Sequence, residues 1–246
     1  MTVTAVQSNT PKIGRLVVVG LGLIGGSFAK GLRERGLCRE VVGVDLDAES
    51  RRLAVQLGVV DRCESDLAAA CQGADVIQLA VPILAMEKVL AQLAALDLGN
   101  AVLTDVGSAK GNVVRAARLA FSGKAVRLVP GHPIAGSEQS GVEAANAELF
   151  RRHKVILTPC EHSDEAALAL VEGLWRELGA DVEAMEVEHH DQVLAATSHL
   201  PHLLAFTLVD SLAKRSENLE IFRYAAGGFR DFTRIAGSDP VMWHDI

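Results

Sequence analysis

The stretch Val17 to Leu32, VVVGLGLIGGSFAKGL, constrains the fold more than any other part of the chain. A β-branched run ends at Gly20, and the spacing Gly20-x-Gly22-x-x-Gly25 leads into apolar residues at helical intervals. In such a unit the first glycine makes a tight turn, the second lets a pyrophosphate approach the backbone, and the third lets helix and strand pack closely. The spacing therefore predicts a dinucleotide site whose phosphates lie at the helix N-terminus.

An acidic residue at the expected distance strengthens this prediction, because glycines by themselves also mark ordinary turns. The next apolar run, Val41 to Val44, ends at Asp45, which lies 20 residues after Gly25. An acid at this position accepts hydrogen bonds from the adenosine ribose and repels a 2′-phosphate, so the pattern favours NAD over NADP. Arg51 and Arg52 lie downstream, and either can weaken that preference. The alternative is a strand-turn-helix unit with no ligand.

Short apolar runs alternate with amphipathic segments through the first three quarters of the chain, which is typical of an α/β fold with right-handed crossovers. We expect an N-terminal Rossmann-type, doubly wound sheet, followed by an all-helical second domain. The predicted strands are 17–19, 41–44, 76–81, 101–105, 126–130 and 155–158, with a strand near 182–185 closing the sheet. The expected division is a flexible arm over 1–12, a dinucleotide-binding domain over 13–187, and a helical domain over 188–246 that looks truncated at Ile246.

Composition excludes several classes of partner. The net charge is -7 and no cluster of Lys and Arg is present, which argues against nucleic acid. We find no apolar run near the roughly 20 residues that a membrane span needs. Four cysteines form no CxxC pair and follow no secretory leader, so we expect reduced thiols, more often buried than reactive, in a soluble cytoplasmic protein.

Candidate reactive residues follow the predicted strands, because ligands of such sheets lie beyond the strands' carboxyl ends. Val81 and Pro82 are placed to shape the floor of a cofactor site. His132 lies in a predicted loop between Gly131 and Pro133, and its ordinary pKa of about 6.5 suits proton transfer from a hydroxyl. The alternative is a loop histidine bonded to backbone. Ser108 is expected near His132 or as a turn residue, and Lys110 as a solvated charge or helix-start residue.

The helical domain carries two further groups of candidates. His199 and His202 share one helical face around Pro201, which predicts a kinked or newly started helix. They are either polar groups for a substrate or metal ligands with His190 and Asp191. The spacing matches no known metal site, so we predict none. Arg230 and Arg234 are either carboxylate-binding forks or charges on a surface helix that flank Asp231.

Taken in order, these motifs resemble the prephenate/arogenate (cyclohexadienyl) dehydrogenase family from about Ile13 to Ile246. They are the glycine turn at 20–26, TDVGSAK at 104–110, GHPIAGSE at 131–138, SHLPH at 198–202 and GGFRDFTRIAGSDPVMW at 227–243. The resemblance implies NAD-dependent oxidative decarboxylation of prephenate to 4-hydroxyphenylpyruvate, a step of tyrosine biosynthesis. Family members continue into further helices that build a dimer interface, so the resemblance also implies a homodimer.

The resemblance further implies roles for individual residues. His132 would hydrogen-bond the substrate's ring hydroxyl and draw off its proton, with Ser108 holding both in register, and Arg234 would bind a carboxylate. The other expected substrate contacts are Arg230, His199, His202, Gly227, Trp243 and Glu138, the last as a gate against Arg234. The expected cofactor contacts are Gly20, Gly22, Leu23, Ile24, Gly25, Asp45, Val81 and Pro82.

Other functions stay open from the sequence. Arogenate, or both cyclohexadienes, is an alternative substrate to prephenate. A β-hydroxyacid-type dehydrogenase of the same fold would rely on a lysine of the helical domain, where Lys214 is the only one. A non-catalytic dinucleotide-binding regulator is an alternative of another class, and it leaves His132, Ser108 and Arg234 without a common task.

Overall fold

The structure, a computed structural model, describes residues 12–137, 139–215, 218–238 and 243. The chain forms two compact units that divide between Val187 and Glu188. All of the predicted N-terminal arm except Lys12 lies outside the described residues.

The first unit alternates strands and helices. Its strands are β1 (Ile13–Val19), β2 (Cys38–Val44), β3 (Arg62–Glu64), β4 (Val76–Leu79), β5 (Val102–Asp105), β6 (Arg127–Val129), β7 (Gly131–Pro133), β8 (Lys154–Leu157) and β9 (Asp181–Ala184). Its helices are α1 (Leu23–Glu34), α2 (Ala48–Gln56), α3 (Leu67–Cys71), α4 (Ile83–Ala94), α5 (Lys110–Ala120) and α6 (Glu165–Glu177).

The main sheet has the strand order β3-β2-β1-β4-β5-β6, with every neighbouring pair parallel. This order confirms the Rossmann-type, doubly wound prediction and places its topological switch point between β1 and β4. The central strands are buried on both faces, which explains why they read as continuous apolar runs rather than alternating ones. β3 was not predicted, because it is three residues long and only half-buried.

The last strands of the unit form a second sheet, so the prediction that a strand near 182–185 closes the main sheet is wrong. Its order is β7-β8-β9, with β7 antiparallel and β9 parallel to β8. The chain leaves the main sheet at Pro130, which has no N–H to donate to a ladder. The carbonyl of Pro130 instead accepts the N–H of Thr158 at 2.9 Å.

Two apolar layers cover the faces of the main sheet. On the side of α1 and α6, Trp175 packs against Phe28 and Phe150, with ring centroids 4.6 and 4.9 Å away. On the other side, Met86, Leu90 and other residues of α4 and α5 bury the face of β4 and β5. The two layers cover the faces of the sheet, and the loops that carry the candidate site follow the carboxyl ends of the strands.

The four cysteines are free thiols. Burial raises the pKa of Cys38 and Cys71 to about 12 and that of Cys63 to about 11, because a low-dielectric surrounding disfavours the thiolate. Burial also raises the pKa of Cys160. The thiols are therefore protonated at neutral pH and are poor nucleophiles.

The second unit is helical, as predicted. It contains α7 (Val187–Leu194), a π-helical turn (Ala195–His199), α8 (Leu200–Ala213), α9 (Asn218–Arg223), α10 (Gly227–Thr233) and a 3-10 turn (Arg234–Gly237). The π turn lies where Pro201 predicts an irregular helix. Pro201 has no N–H for the carbonyl of Thr197, and Leu200 bonds back to Ala195, five residues earlier.

The run Val187–Ala213 is long and apolar enough to cross a membrane by length and composition alone, with a mean hydropathy of 1.2. This differs from the expectation that no segment approaches such a span. Only 11% of its most apolar window is buried, and Leu200, Leu203 and Leu204 are at least half exposed. A helix that packs its apolar side on another protein surface has the same composition, so the run alone is weak support for a membrane partner.

Candidate active site

The glycine turn between β1 and α1 has the geometry that a dinucleotide site requires at its first and third glycines. Gly20 has a φ of +95°, and a Cβ at this position would lie 2.4 Å from the carbonyl oxygen of Ala80. A Cβ on Gly25 would lie 2.1 Å from the carbonyl oxygen of Gly20. Both positions therefore exclude any larger residue, and α1 packs directly on the turn.

Gly22 differs from these two glycines, because a Cβ there would meet nothing within 4 Å. Gly22 is the N-cap of α1, and as a glycine it has no side chain that could cap the first turn of that helix. Within the described part of the chain, the first N–H groups of α1, at Leu23, Ile24 and Gly25, are thus available to an anion at the positive end of the helix dipole. The open space and the free donors together fit a pyrophosphate.

Asp45 ties the end of β2 to this turn. Its Oδ2 accepts the N–H of Leu21 at 2.8 Å, and its Oδ1 accepts the N–H of Asp47 at 2.9 Å. Each carboxylate oxygen keeps a second lone pair, which suits a ribose hydroxyl. The half-buried carboxylate is thus fixed in position and can still accept further hydrogen bonds.

The two downstream arginines have different surroundings. Arg51 donates to the carbonyl oxygens of Asp45 at 2.7 Å and Leu46 at 3.0 Å, whereas Arg52 bonds to Glu49 and Gln56 on its own helix. Arg51 is therefore the arginine beside Asp45. Sequence reasoning missed Leu46, whose side chain is 98% exposed directly after the acid. The sequence signal for Leu46 was a single apolar residue between Asp45 and Asp47, just before α2 begins.

His132 lies on a strand, whereas the sequence predicted a loop. It is the middle residue of β7 and pairs with Ile156 of β8. Gly131 and Pro133 are buried, so strand alternation turns the half-buried His132 side chain to the opposite face. Ser108 is half-buried in the loop between β5 and α5. The described hydrogen bonds do not include one between Ser108 and His132, and that contact stays a prediction.

Lys110 is the first residue of α5, which confirms the expected helix-start residue, but it is fully buried, so the alternative of a solvated charge is wrong. Its Nζ pairs with Oδ2 of Asp105, which is also fully buried, and donates to the carbonyl oxygen of Gly131 at 2.7 Å. Asp105 accepts the N–H of Gly107 at 2.8 Å through Oδ2 and that of Gly131 at 3.3 Å through Oδ1. The sequence did not reveal this pair, because the contact depends on where α5 begins relative to the end of β5.

In the second unit, the structure brings His199, His202 and Trp243 together. The imidazole of His202 stacks on the Trp243 ring at a centroid distance of 3.7 Å, and His199 meets the same ring edge-on at 6.0 Å. Nδ1 of His202 lies 2.8 Å from the carbonyl oxygen of Ser198 and must donate to it, which leaves Nε2 as an acceptor in the neutral ring.

Polar atoms of this aromatic cluster are buried and lack partners among the described residues. They are Nε2 of His199 and Nε1 of Trp243. Burial lowers the pKa of His199 below its ordinary 6.5; the nearby Asp191 carboxylate opposes this effect, while His190 and His202 add to it. His199 is therefore neutral at pH 7 and able to bond a polar ligand.

Arg230 and Arg234 project from α10 and the turn after it. Both are exposed, and neither forms an ion pair with Asp231 or with any other residue in the described ranges. Gly227 begins α10, and a Cβ there would meet nothing within 4 Å. Glu138 lies outside the described residues. Among the described residues, no three His, Cys, Asp or Glu side chains are grouped as metal ligands would be.

Comparison with known proteins matches both units. Residues 28–184 match the model of the prephenate dehydrogenase nucleotide-binding domain, and residues 186–246 match that of the prephenate dehydrogenase dimerization domain. The chain belongs to the prephenate dehydrogenase family. It is therefore an oxidoreductase by family, and its second unit is the counterpart of a dimerization domain.

Individual relatives agree with this assignment. The chain is 38% identical to a cyclohexadienyl dehydrogenase of Zymomonas mobilis, over 94% of this chain and 79% of the relative. It is 40% identical to a prephenate dehydrogenase of Bacillus subtilis, over 94% of this chain and 62% of the relative, so it spans less than two thirds of that protein. A crystal structure of prephenate dehydrogenase from A. aeolicus, in complex with hydroxyphenyl propionate and NAD+, superposes with a TM-score of 0.86 at 40% identity, covering 94% of this chain and 81% of that one.

The predicted site residues divide between the two units. The first unit assembles the glycine turn and Asp45 at one edge of the sheet, with Val81 and Pro82 after β4, the strand beside β1. The second unit assembles His199, His202 and Trp243. The family match begins at residue 28, after the glycine turn, so the assignment of the turn depends on its own geometry.

Proposed function

We propose that the protein is an NAD-dependent dehydrogenase that converts prephenate to 4-hydroxyphenylpyruvate and carbon dioxide, as a cytoplasmic enzyme of tyrosine biosynthesis. The observation that carries this proposal is the glycine turn, with open space at Gly22 and a fixed carboxylate at Asp45, in a chain of the prephenate dehydrogenase family. The A. aeolicus relative is named as a complex with NAD+, and NAD is the cofactor of this protein.

The first unit binds the dinucleotide in an orientation set by two features. The N–H groups of Leu23, Ile24 and Gly25 bind the pyrophosphate, and Asp45 accepts hydrogen bonds from the adenosine ribose. The exposed Leu46 offers an apolar contact to the adenine, while Val81 and Pro82 form the floor of the site. Bound NAD+ supplies the hydride acceptor.

His132 acts on the substrate's ring hydroxyl. Its neutral imidazole accepts the hydroxyl proton while the carbon that carries the hydroxyl loses hydride to the cofactor. The bond between the ring and its carboxylate then breaks, carbon dioxide leaves, and the electron pair of that bond makes the ring aromatic. The proton on His132 returns to the phenolic oxygen. Ser108 holds the imidazole and the hydroxyl in register.

The second unit supplies the groups that bind the rest of the substrate. Arg234 pairs with a carboxylate, which its exposed guanidinium supports, since it forms no ion pair with any residue that the structure describes, and Arg230 adds a second cation. His199, His202, Trp243 and the backbone at Gly227 bind the remaining polar and ring atoms. The buried polar atoms of His199 and Trp243 support this role, because such atoms favour a bonded partner.

The substrate has one alternative, since the Zymomonas mobilis relative is named for cyclohexadienyl compounds in general. Arogenate differs from prephenate in carrying an amino acid side chain in place of a keto acid. NADH formation measured with each substrate, and with NAD+ and NADP+ in turn, tests both substrates. We expect turnover with prephenate and NAD+. NAD binding without turnover of either substrate would favour the non-catalytic regulator.

We also infer that the protein is a homodimer. The match to a dimerization domain and the exposed leucines of α8 support this assembly, because such a surface is stable in water when a second copy covers it. Light scattering after gel filtration should give twice the chain mass. Leu203→Glu should shift that mass toward the monomer. Binding of the wild-type protein to lipid vesicles in place of dimerisation would contradict the inference.

A further inference from the structure

We propose that the buried Asp105–Lys110 pair is a positioning device for His132 and Ser108. The pair holds the peptide group that joins Gly131 to His132 and the N–H of Gly107, the residue before Ser108, and so sets where the proton acceptor lies relative to the substrate. This inference rests on the proposed function. It assigns Asp105 and Lys110 no contact with substrate or cofactor.

The hydrogen bonds of the pair converge on Gly131. Asp105 accepts the N–H of Gly131, and Lys110 donates to its carbonyl oxygen at 2.7 Å. These groups belong to the two successive peptide planes on either side of Gly131, and the second plane is the one that joins it to His132. Fixing both planes limits rotation at a residue that otherwise has the widest conformational freedom.

The same carboxylate also holds the loop that carries Ser108. Oδ2 of Asp105 accepts the N–H of Gly107, the residue before Ser108, at 2.8 Å. Lys110 begins α5, so the loop between Asp105 and Lys110 is closed at both ends by the ion pair. One buried pair therefore sets the backbone before both residues that we assign to proton transfer.

β7 needs such support because it is short and pairs on one side. It has three residues, and in the three-stranded sheet it is an edge strand bonded to β8. The backbone of Asp105 also lies close to β7, since a Cβ at Gly131 would lie 3.2 Å from the carbonyl oxygen of Asp105. The close approach of the two backbones lets the pair reach Gly131 where no ladder continues.

Stability alone is a poor explanation for the pair. Removing two charges from water costs several kcal/mol per ion, and replacing a buried ion pair with apolar residues is often neutral or stabilising. Positioning is a better explanation, because a displacement of about 1 Å at a reacting group can lower a rate by about 100-fold.

The test replaces both charges together, since removing one would leave the other buried and unpaired. In Asp105→Asn/Lys110→Met we expect kcat with prephenate to fall about 10-fold or more, while KM and the Kd for NAD change by less than about threefold. In a His132→Asn background the same double change should cost less than about twofold, because the group it positions is gone. Arg118→Met/Glu161→Gln removes an exposed pair that also involves α5, and we expect it to leave kcat unchanged.

A second variant and a second measurement keep the proposal testable if the double variant misfolds or the wild-type protein shows no turnover. Lys110→Arg keeps the charge but moves the donor, and it should lower kcat with the same dependence on His132. Amide exchange at Gly131, measured by NMR, should accelerate about 10-fold or more in both pair variants and not in the control. Unchanged exchange, unchanged kcat, or an equal loss of kcat in both His132 backgrounds would overturn the proposal. A wild-type protein with no turnover would instead count against the proposed function, while the exchange data still test the pair.

Discussion

Gly22 offers the sharpest test of the cofactor site, because its role there can be separated from any role in folding. Its φ of -72° and ψ of -167° are accessible to alanine, and a Cβ would meet nothing within 4 Å. We therefore expect Gly22→Ala to change the free energy of unfolding by less than about 1 kcal/mol. The methyl group would instead occupy the space through which a pyrophosphate approaches the start of α1.

The expected loss of affinity follows from the phosphate contacts. A hydrogen bond to a charged group contributes about 1.5 to 3 kcal/mol, so displacing one phosphate–amide bond should raise the Kd for NAD about 10- to 150-fold. Fluorescence titration with NADH measures the Kd, and denaturant unfolding measures stability. Gly25→Ala is the matched control, since its Cβ would lie 2.1 Å from the carbonyl oxygen of Gly20 and should cost about 1 to 3 kcal/mol of stability. A Gly22→Ala protein that binds NADH as tightly as wild type would refute the placement of the pyrophosphate.

Further predictions concern single side chains. His132→Asn should lower kcat about 100-fold or more with NAD affinity near wild type, because it removes the proton acceptor; a fully active variant would take His132 out of the mechanism. Arg234→Gln should mainly raise KM, because it removes about 1.5 to 3 kcal/mol of substrate binding free energy. An unchanged KM would show that Arg234 is a surface charge with no role in substrate binding. Asp45→Ser should narrow the preference for NAD over NADP, and titration with both cofactors checks this. The pKa of His199 is lower in the folded protein than in the unfolded chain. As the pH falls through 6.5, His199 therefore becomes protonated first in the unfolded chain, and the free energy of unfolding should decline. Denaturant unfolding at pH 7.5 and 5.5 should show a smaller decline for His199→Gln, and equal declines would contradict the assignment.

The site residues show where sequence reasoning reached its limit. The sequence predicts Lys110 as a solvated charge or a helix-start residue. Lys110 does begin α5, but its burial is not predictable from the motif TDVGSAK, because a lysine at the start of a helix is usually exposed. His132 was expected in a loop, because a histidine between glycine and proline reads as a turn. His132 lies in β7, and the buried Lys110 bonds to Gly131 of β7. With three residues, β7 is too short to give a recognisable sequence pattern.

The amino-acid pattern was enough to predict the glycine turn, the acid after β2, the alternation of strands and helices, and the change to helices near residue 187. These features depend on spacing within a few residues, and local backbone conformation follows from such spacing. Only the folded structure shows that β8 and β9 leave the main sheet and that Asp105 and Lys110 meet in the interior. It also decided that His199, His202 and Trp243 share one cluster. The strand pairings and the position of Trp243 depend on contacts between residues far apart in the chain. Asp105 and Lys110 are only five residues apart, but both also bond to Gly131 of a later strand, and no local pattern encodes that contact.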